Sequence, residues 1–226
     1  MILAIETATP HGSVALVTGD ALLAEAALPA GRQASETILG AVEGLFRATG
    51  SRRDDATHVA VSAGPGSFTG LRVGMAAAKG FCFGWGVPIV PVPTLHALAL
   101  RFPSERLTLC PVLDARKKQV YAALFRWEGG ACRRLSPDMA IAPAELAGKL
   151  PDGTVFFCGD AAAPFAPVFR ERLGPKAVFP APGEGLPRAG AVGLLAARLV
   201  REGAACDASG TVPVYVRPSE AERKRG

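Results

Sequence analysis

The sequence predicts an α/β chain built from two similar lobes. Three observations lead there. An apolar segment closed by an acid, Leu3-Ala4-Ile5-Glu6, recurs as Val112-Leu113-Asp114. Each copy is followed by short strands separated by turn residues and then by a helix. Each half also holds a buried strand that runs into glycine, Val59 to Gly64 and Val155 to Gly159. With 226 residues the chain can bury one large core, or two cores of roughly 100 residues each, without a disulfide or a metal to staple it.

In the first half, Ile2 to Thr7 reads as a buried strand, Gly12 to Thr18 as a second and Ala21 to Leu28 as a third, with Gly19-Asp20 marking the tighter turn. From Gln33 to Thr49 the residues Ile38, Leu39, Val42, Leu45 and Phe46 fall at helical spacing, and Gly50 supplies a stop. Thr57 to Ala63 returns to a strand, Thr69 to Trp85 is helical, Val87 to Val92 is a strand, and Thr94 caps a short helix to Phe102. The second half repeats the order. Leu107 to Leu113 is a strand ending at Asp114, Gln119 to Trp127 and the stretch from about Arg134 to Ile141 complete a meander, and Ala144 to Leu150 is a helix. A strand at Val155 to Cys158 and a helix from Ala162 to Leu173 follow. Pro175 to Pro187 reads as a connector, and Arg188 to Glu202 as an amphipathic helix placed to cross back to the first lobe.

A duplicated meander followed by alternating helices and strands matches the ribonuclease-H-like lobe of actin-like ATPases (the ASKHA superfold) and sugar kinases. The expected division is residues 1–103 with the helix at about 188–203, then 104–187, then a disordered basic tail at 218–226. In that architecture a nucleotide sits between lobes, where strand ends and helix N-termini converge.

Composition narrows the function classes. Apolar residues make up 49% of the chain, but no apolar run reaches the ~18 residues of a membrane span. Met1 to Ile5 lacks a basic leader and meets Glu6 at once, so the expected location is the cytoplasm. Cys82, Cys110, Cys132, Cys158 and Cys206 are scattered and never spaced C-x-x-C, which suits reduced core thiols rather than a disulfide frame or a zinc site. His11, His58 and His96 are isolated, and no serine stands in G-x-S-x-G. The net charge of +5 permits contact with nucleic acid or an acidic partner. Few aromatics interleave with the basic residues, which weakens the reading as an RNA-binding module in its own right.

The sharpest motif is Gly64-Pro65-Gly66-Ser67-Phe68-Thr69-Gly70-Leu71-Arg72-Val73-Gly74, which leaves a strand and enters a helix. Two readings stand. Its glycines could expose amides to a phosphate or a partner, with Ser67 or Thr69 as cap, or they could simply allow a tight turn. It is neither a Walker loop nor G-x-G-x-x-G. Glu6 and Asp114 close the first strand of each half, where the superfold places carboxylates near metal and phosphate, and Thr7 adds a hydroxyl. Asp114-Ala115-Arg116-Lys117-Lys118 sets an acid before three cations, either an anion clamp or a solvated hairpin tip. Phosphate-facing candidates are therefore Glu6, Thr7, Gly64, Gly66, Ser67, Thr69, Asp114 and Arg116. Small residues form two helical stripes, Ala34, Thr37, Ala41, Gly44 and Ala48 on one helix and Gly70, Val73, Ala77, Gly80 and Gly84 on the other, and the partner-binding candidates are the first five with Gly70, Val73, Gly74, Ala77 and Gly80. These could present a flat docking surface or pack internally.

Ile2-Leu3-Ala4-Ile5-Glu6-Thr7-Ala8-Thr9, the Gly64 to Gly74 loop, Asp114-Ala115-Arg116 with Val120-Tyr121, and Pro213-Val214-Tyr215-Val216-Arg217 together resemble the bacterial TsaB (YeaZ) family, in order and over nearly the whole chain. The resemblance implies a two-lobed accessory subunit with no catalytic or metal site of its own. It would pair with the paralogous TsaD enzyme that transfers threonylcarbamoyl to the adenosine beside the anticodon. It further implies the ATPase subunit TsaE as a third member, a homodimer in isolation, tRNA contacted mainly through the complex, no membrane association, and no cofactor bound alone, with ATP at the complex interface. The helices Gln33 to Thr49 and Thr69 to Trp85 would form the family's dimerising bundle. The chain departs from the family at Ala34 and Gln119, where members often carry histidine and glutamate. A stand-alone ATPase or kinase of the superfold is the alternative, and a peptidase would need metal ligands or a nucleophile–base pair that the sequence does not offer.

Overall fold

The computed structural model describes residues 1–29 and 34–216, the side chains of residues 34–36 excepted. The expected basic tail at 218–226 and Gln33 lie outside the described residues. Two compact units divide the described chain, one from Met1–Ala97 with Pro187–Val214, the other from Leu98–Leu186 with Tyr215 and Val216.

In the first unit, β1 (Ile2–Glu6), β2 (Ser13–Thr18) and β3 (Ala21–Ala27) form an antiparallel meander. Strands β4 (His58–Gly64) and β5 (Ile89–Pro93) add in parallel, so the order is β3-β2-β1-β4-β5. Between β3 and β4 runs α1 (Ala34–Thr49), between β4 and β5 runs α2 (Phe68–Trp85), and α3 (Thr94–Leu100) follows β5. Side chains alternate across a strand. Leu3 and Ile5 of β1 therefore share one core with Val14, Leu16, Val59 and Val61, closed by Ile38, Val42 and Leu45 of α1 and Met75, Ala78 and Cys82 of α2. Each fully buried aliphatic side chain of this kind contributes about 1.5–3 kcal/mol. The aromatic rings of Phe46, Phe81 and Trp85 tie the C-terminal ends of α1 and α2 together, with centroids 5.8 and 4.8 Å from Trp85.

The second unit repeats the plan. Strand β6 (Thr108–Asp114) pairs antiparallel with β7 (Val120–Ala122) and β8 (Phe125–Glu128), then β9 (Ala131–Arg134) and β10 (Met139–Ile141) follow. The partners Val112↔Ala122 and Leu109↔Phe125 keep one register, so β7 and β8 are a single antiparallel course interrupted at Ala123-Leu124. After α4 (Pro143–Lys149), strand β11 (Val155–Cys158) lies parallel to β6, and α5 (Ala162–Leu173) leads to β12 (Ala177–Val178). Along the path β10-β7-β6-β11-β12 the order matches that of the first unit, which is the ribonuclease-H-like duplication of the actin-like ATPase superfold. Phe157 at the centre stacks on Phe169 with centroids 4.1 Å apart. Strand β12 falls inside the segment expected to be a connector. Two residues are too few to show alternation, and Pro175 and Pro180 flank them.

Gly64 at the end of β4 and Gly159 after β11 occupy corresponding turns with φ of 121° and 111°. A side chain there would strain the backbone and collide with the Val214 and Val112 carbonyls respectively. The last helix, α6 (Ala189–Arg201), packs on β1, β2, β3, β4 and β5 of the first unit. Gly193 sits directly over Ala4 and Val17, so β1 is covered on both faces and buried along its length. The free amides at the start of α6 are met from the meander: the Ala189 N–H donates to Ser13 Oγ (2.8 Å) and the Gly190 N–H to Glu25 Oε1 (2.9 Å).

Candidate functional site

The glycine motif folds back onto the turn after β1. Gly66, Gly70 and Gly74 stand four residues apart, so they share one side of the loop and the first turns of α2. A Cβ at Gly66 would press on Ala8, one at Gly70 would collide with the Thr7 carbonyl oxygen, and one at Gly74 would meet Thr7 Oγ1. The Thr7 hydroxyl donates to the Gly70 carbonyl (2.8 Å), and the Ser67 N–H donates to the Ala8 carbonyl (2.7 Å). Ser67 is the N-cap of α2, its hydroxyl accepting the Gly70 N–H (3.3 Å), and Gly86 in the left-handed region ends the helix. The Gly64 N–H goes to the Thr94 hydroxyl (3.2 Å), which is thus engaged across the fold rather than only locally.

These contacts show what the tight turn uses. The amides of Gly64, Ser67 and Gly70 are spent on internal acceptors, so they do not form an anion cradle. Glu6 is buried, accepts the Ala8 N–H (2.5 Å) and holds the Ser62 hydroxyl in a short hydrogen bond. Its carboxylate acts as a knot between β1 and β4. Of the phosphate-facing candidates in this unit, Glu6, Thr7 and Gly64 are buried, Gly66 and Ser67 half-buried, and Thr69 is exposed.

The small-residue stripes separate in the same way. On α2, Gly74 is buried and Gly70 is used against Thr7, while Val73 and Ala77 pack on the core. Gly74 is thus closed to a partner, which corrects the expectation for that residue, while Gly70, Val73 and Ala77 contact the interior and stay half-buried. Thr37 and Ala41 are half-buried, Ala41 against the core, and the side chain of Ala34 lies outside the described residues. Gly44, Ala48 and Gly80 are exposed. Gly84 of the second stripe is exposed with them, and they are joined by residues outside the stripes, Gly40, Leu39 at 57% exposure and Phe83 at 67%. An added Cβ at Gly40, Gly44, Gly80 or Gly84 would meet nothing within 4 Å. Leu39 was expected in the core row with Ile38, yet it heads the row Leu39, Glu43, Arg47, whose charges mark the solvent side. At the start of α2, Arg72 lies over the exposed Phe68 ring, 3.8 Å from its centroid.

In the second unit the strand-end acid is arranged differently. Asp114 accepts the Arg116 N–H (2.7 Å) and pairs with the Arg116 guanidinium at 3.3 Å, while its own N–H donates to Asp160 Oδ1 (3.0 Å). Arg116, Lys117 and Lys118 have φ of 61°, 52° and 60° and are exposed. Three consecutive non-glycine residues in the left-handed region cost about 1 kcal/mol or more each. The turn is closed by Gln119 N–H to Arg116 O (3.0 Å) and Ala115 N–H to Gln119 O (3.0 Å).

All five cysteines are unbridged, with Cys206 alone exposed. Burial pushes the Cys82 thiol up to about 11 and those of Cys110 and Cys158 well above the usual thiol range, so these three stay protonated. Among the described residues, no group of three or more His, Cys, Asp or Glu side chains gathers, and no helix is long and apolar enough to cross a membrane.

The family model for TsaD, tRNA N6-adenosine threonylcarbamoyltransferase, matches residues 28–225. The tRNA threonylcarbamoyladenosine biosynthesis protein TsaB of Bacillus subtilis (strain 168) is 30% identical over 225 residues, covering 99% of this chain and 96% of that protein. The chain belongs to the TsaB (YeaZ) family. The solved structure of YeaZ from Pseudomonas aeruginosa superposes with a TM-score of 0.81 at 24% identity, covering 95% of this chain and 99% of that one. Beyond the family, component A of the (R)-2-hydroxyglutaryl-CoA dehydratase of Acidaminococcus fermentans shares the fold, with a TM-score of 0.52 at 11% identity over 88% of this chain and 98% of that one.

Proposed function

We propose that the chain is the non-catalytic partner subunit of the complex that adds a threonylcarbamoyl group to the adenosine beside the anticodon of tRNA. It docks on a TsaD-type catalytic paralogue through the exposed face of α1 and α2. The observation that carries this is the face itself. Gly40, Gly44, Gly80 and Gly84 leave it smooth, and Leu39 and Phe83 stand out from it in water. Exposed large apolar groups on a surface of small residues favour close helix–helix association. The name of the Bacillus subtilis relative supports the reaction, and the match to the TsaD family model supports pairing between paralogues. The same face would serve a homodimer when the paralogue is absent. A TsaE-type ATPase joins the assembly, ATP is used at its interface rather than by this chain alone, and the work is cytoplasmic.

The test is threonylcarbamoyl transfer to unmodified tRNA by this protein alone, by the paralogue alone and by the mixture. Activity in the mixture only is the expected result, whereas ATP turnover or transfer by this chain alone would overturn the reading. Gly44→Arg and Gly80→Arg place a long cation on the face where a Cβ meets no neighbour. Replacing a helical glycine also raises helix propensity by up to about 1 kcal/mol, so both variants should melt no lower than the parent. Each is expected to weaken paralogue binding at least ~30-fold, as truncating or blocking the centre of an interface does. Ala41→Arg is a poorer probe because Ala41 packs on the core.

A further inference from the structure

Charge is divided unevenly between the two units. The first, residues 1–97 and 187–214, holds nine Lys/Arg against nine Asp/Glu. Residues 98–186 of the second hold twelve Lys/Arg against nine Asp/Glu. Residues 98–186 thus carry an excess of three positive charges, while the smooth apolar face belongs to the first unit. Within the second unit, the turn Arg116-Lys117-Lys118 places three cations side by side at an exposed tip.

We propose that the Arg116–Lys118 turn binds the phosphate backbone of the RNA substrate, an inference that rests on the tRNA-modification reading above. A turn selected only to reverse the chain would carry Asn or Gly where φ is positive. Here all three left-handed positions are long cations, and their φ values of 61°, 52° and 60° hold them on a turn pinned by two backbone hydrogen bonds across its base. Such a turn is pre-organised, so little backbone freedom is lost when a phosphate arrives. The acids nearest the turn in the hydrogen-bond pattern are Asp114 and Asp160. Asp114 is taken up by the Arg116 N–H and guanidinium, and Asp160 accepts the Asp114 N–H. The Arg116–Asp114 pair is 79% and 40% exposed, so it is weak and Arg116 can exchange it for a phosphate oxygen. Contacts of this kind position RNA without reading its sequence.

The experiment is fluorescence anisotropy of a labelled, unmodified tRNA titrated with the full chain, alone and mixed with the catalytic paralogue, across about 0.05–0.2 M salt. Lys117→Glu/Lys118→Glu is expected to weaken binding ~10-fold or more and to reduce the slope of log affinity against log salt by about two. Lys117→Asn/Lys118→Asn removes the charges with a residue that tolerates the left-handed region. It should lose affinity by a smaller factor, at a melting temperature no lower than the parent's. Unchanged affinity and slope in both titrations would overturn the proposal, as would no tRNA binding by the parent in either. Paralogue binding is followed in the same mixtures by sedimentation. Loss of paralogue binding with an unchanged salt slope would make the turn a protein contact and also overturn the RNA assignment. Failure of the parent to bind paralogue would sink the partner reading while the titration with the chain alone still decides this one.

Discussion

The two units end their first strand with an acid and do opposite things with it. Glu6 is buried and bound by the Ala8 amide and the Ser62 hydroxyl, and the turn after it is clamped by glycines of α2. Asp114 is partly exposed, pairs with Arg116 and opens a turn of three cations that projects into solvent. The difference shows that one topological position can serve two structural ends. One acid is a fixed joint of the scaffold, and the other lies partly exposed at the surface. The joint also explains why the first unit has its open face on α1 and α2: the small residues facing Thr7 and Ala8 are consumed inside, and those on the far side of the helices remain outside.

The strongest way to break this comparison is to fill the joint. Gly70→Ala and Gly74→Ala push a methyl into the Thr7 backbone and side chain, and each is expected to cost about 3 kcal/mol or more in urea denaturation. Gly80→Ala, on the same helix but facing open space, should instead be neutral or stabilise by up to about 1 kcal/mol. Equal effects at the three sites would show that the loop is not packed as described. Next in size, Glu6→Ala leaves two donors without their acceptor and should cost about 2–3 kcal/mol, whereas Asp114→Ala should cost under about 1 kcal/mol because its ion pair is exposed. A reversed order would remove the distinction between joint and surface.

The smallest effect expected is at His58, the first residue of β4. Burial, and then the positive α-amino group of Met1, hold its pKa below the ordinary 6.5. The folded chain thus resists protonation more than the unfolded one. The stability this residue contributes is present above 6.5 and is lost as pH falls below it. Melting curves between about pH 7.5 and 5 should fall slightly more steeply for the parent than for His58→Gln.

Much of this was legible before folding. The duplicated order of elements came from period and turn residues, and the strands β1, β4, β6 and β11 were visible as apolar runs bounded by acids and glycines. The glycine motif announced a strand-to-helix turn, and Ser67 was one of two residues expected to cap it. Which side of the motif did the work was not legible. Gly66, Gly70 and Gly74 are identical in sequence terms to Gly80 and Gly84, and only the arrival of Thr7 and Ala8 separates them. Leu39 and Phe83 were hidden for a related reason, since helical spacing marks an apolar residue without saying whether the surface it meets is a sheet or water.

The sequence by itself determined the two ribonuclease-H-like halves and their glycine-ended strands, because periodicity and turn chemistry are local properties carried by a few consecutive residues. Only the tertiary structure decided that Glu6 is a knot, that the glycine loop is closed upon the β1 turn, and that a smooth face of α1 and α2 is left to solvent. Those outcomes depend on residues more than fifty positions apart meeting at contact distance, as Glu6 meets Ser62 and Thr7 meets Gly70, and no local pattern encodes which of several equal glycines such a contact will use.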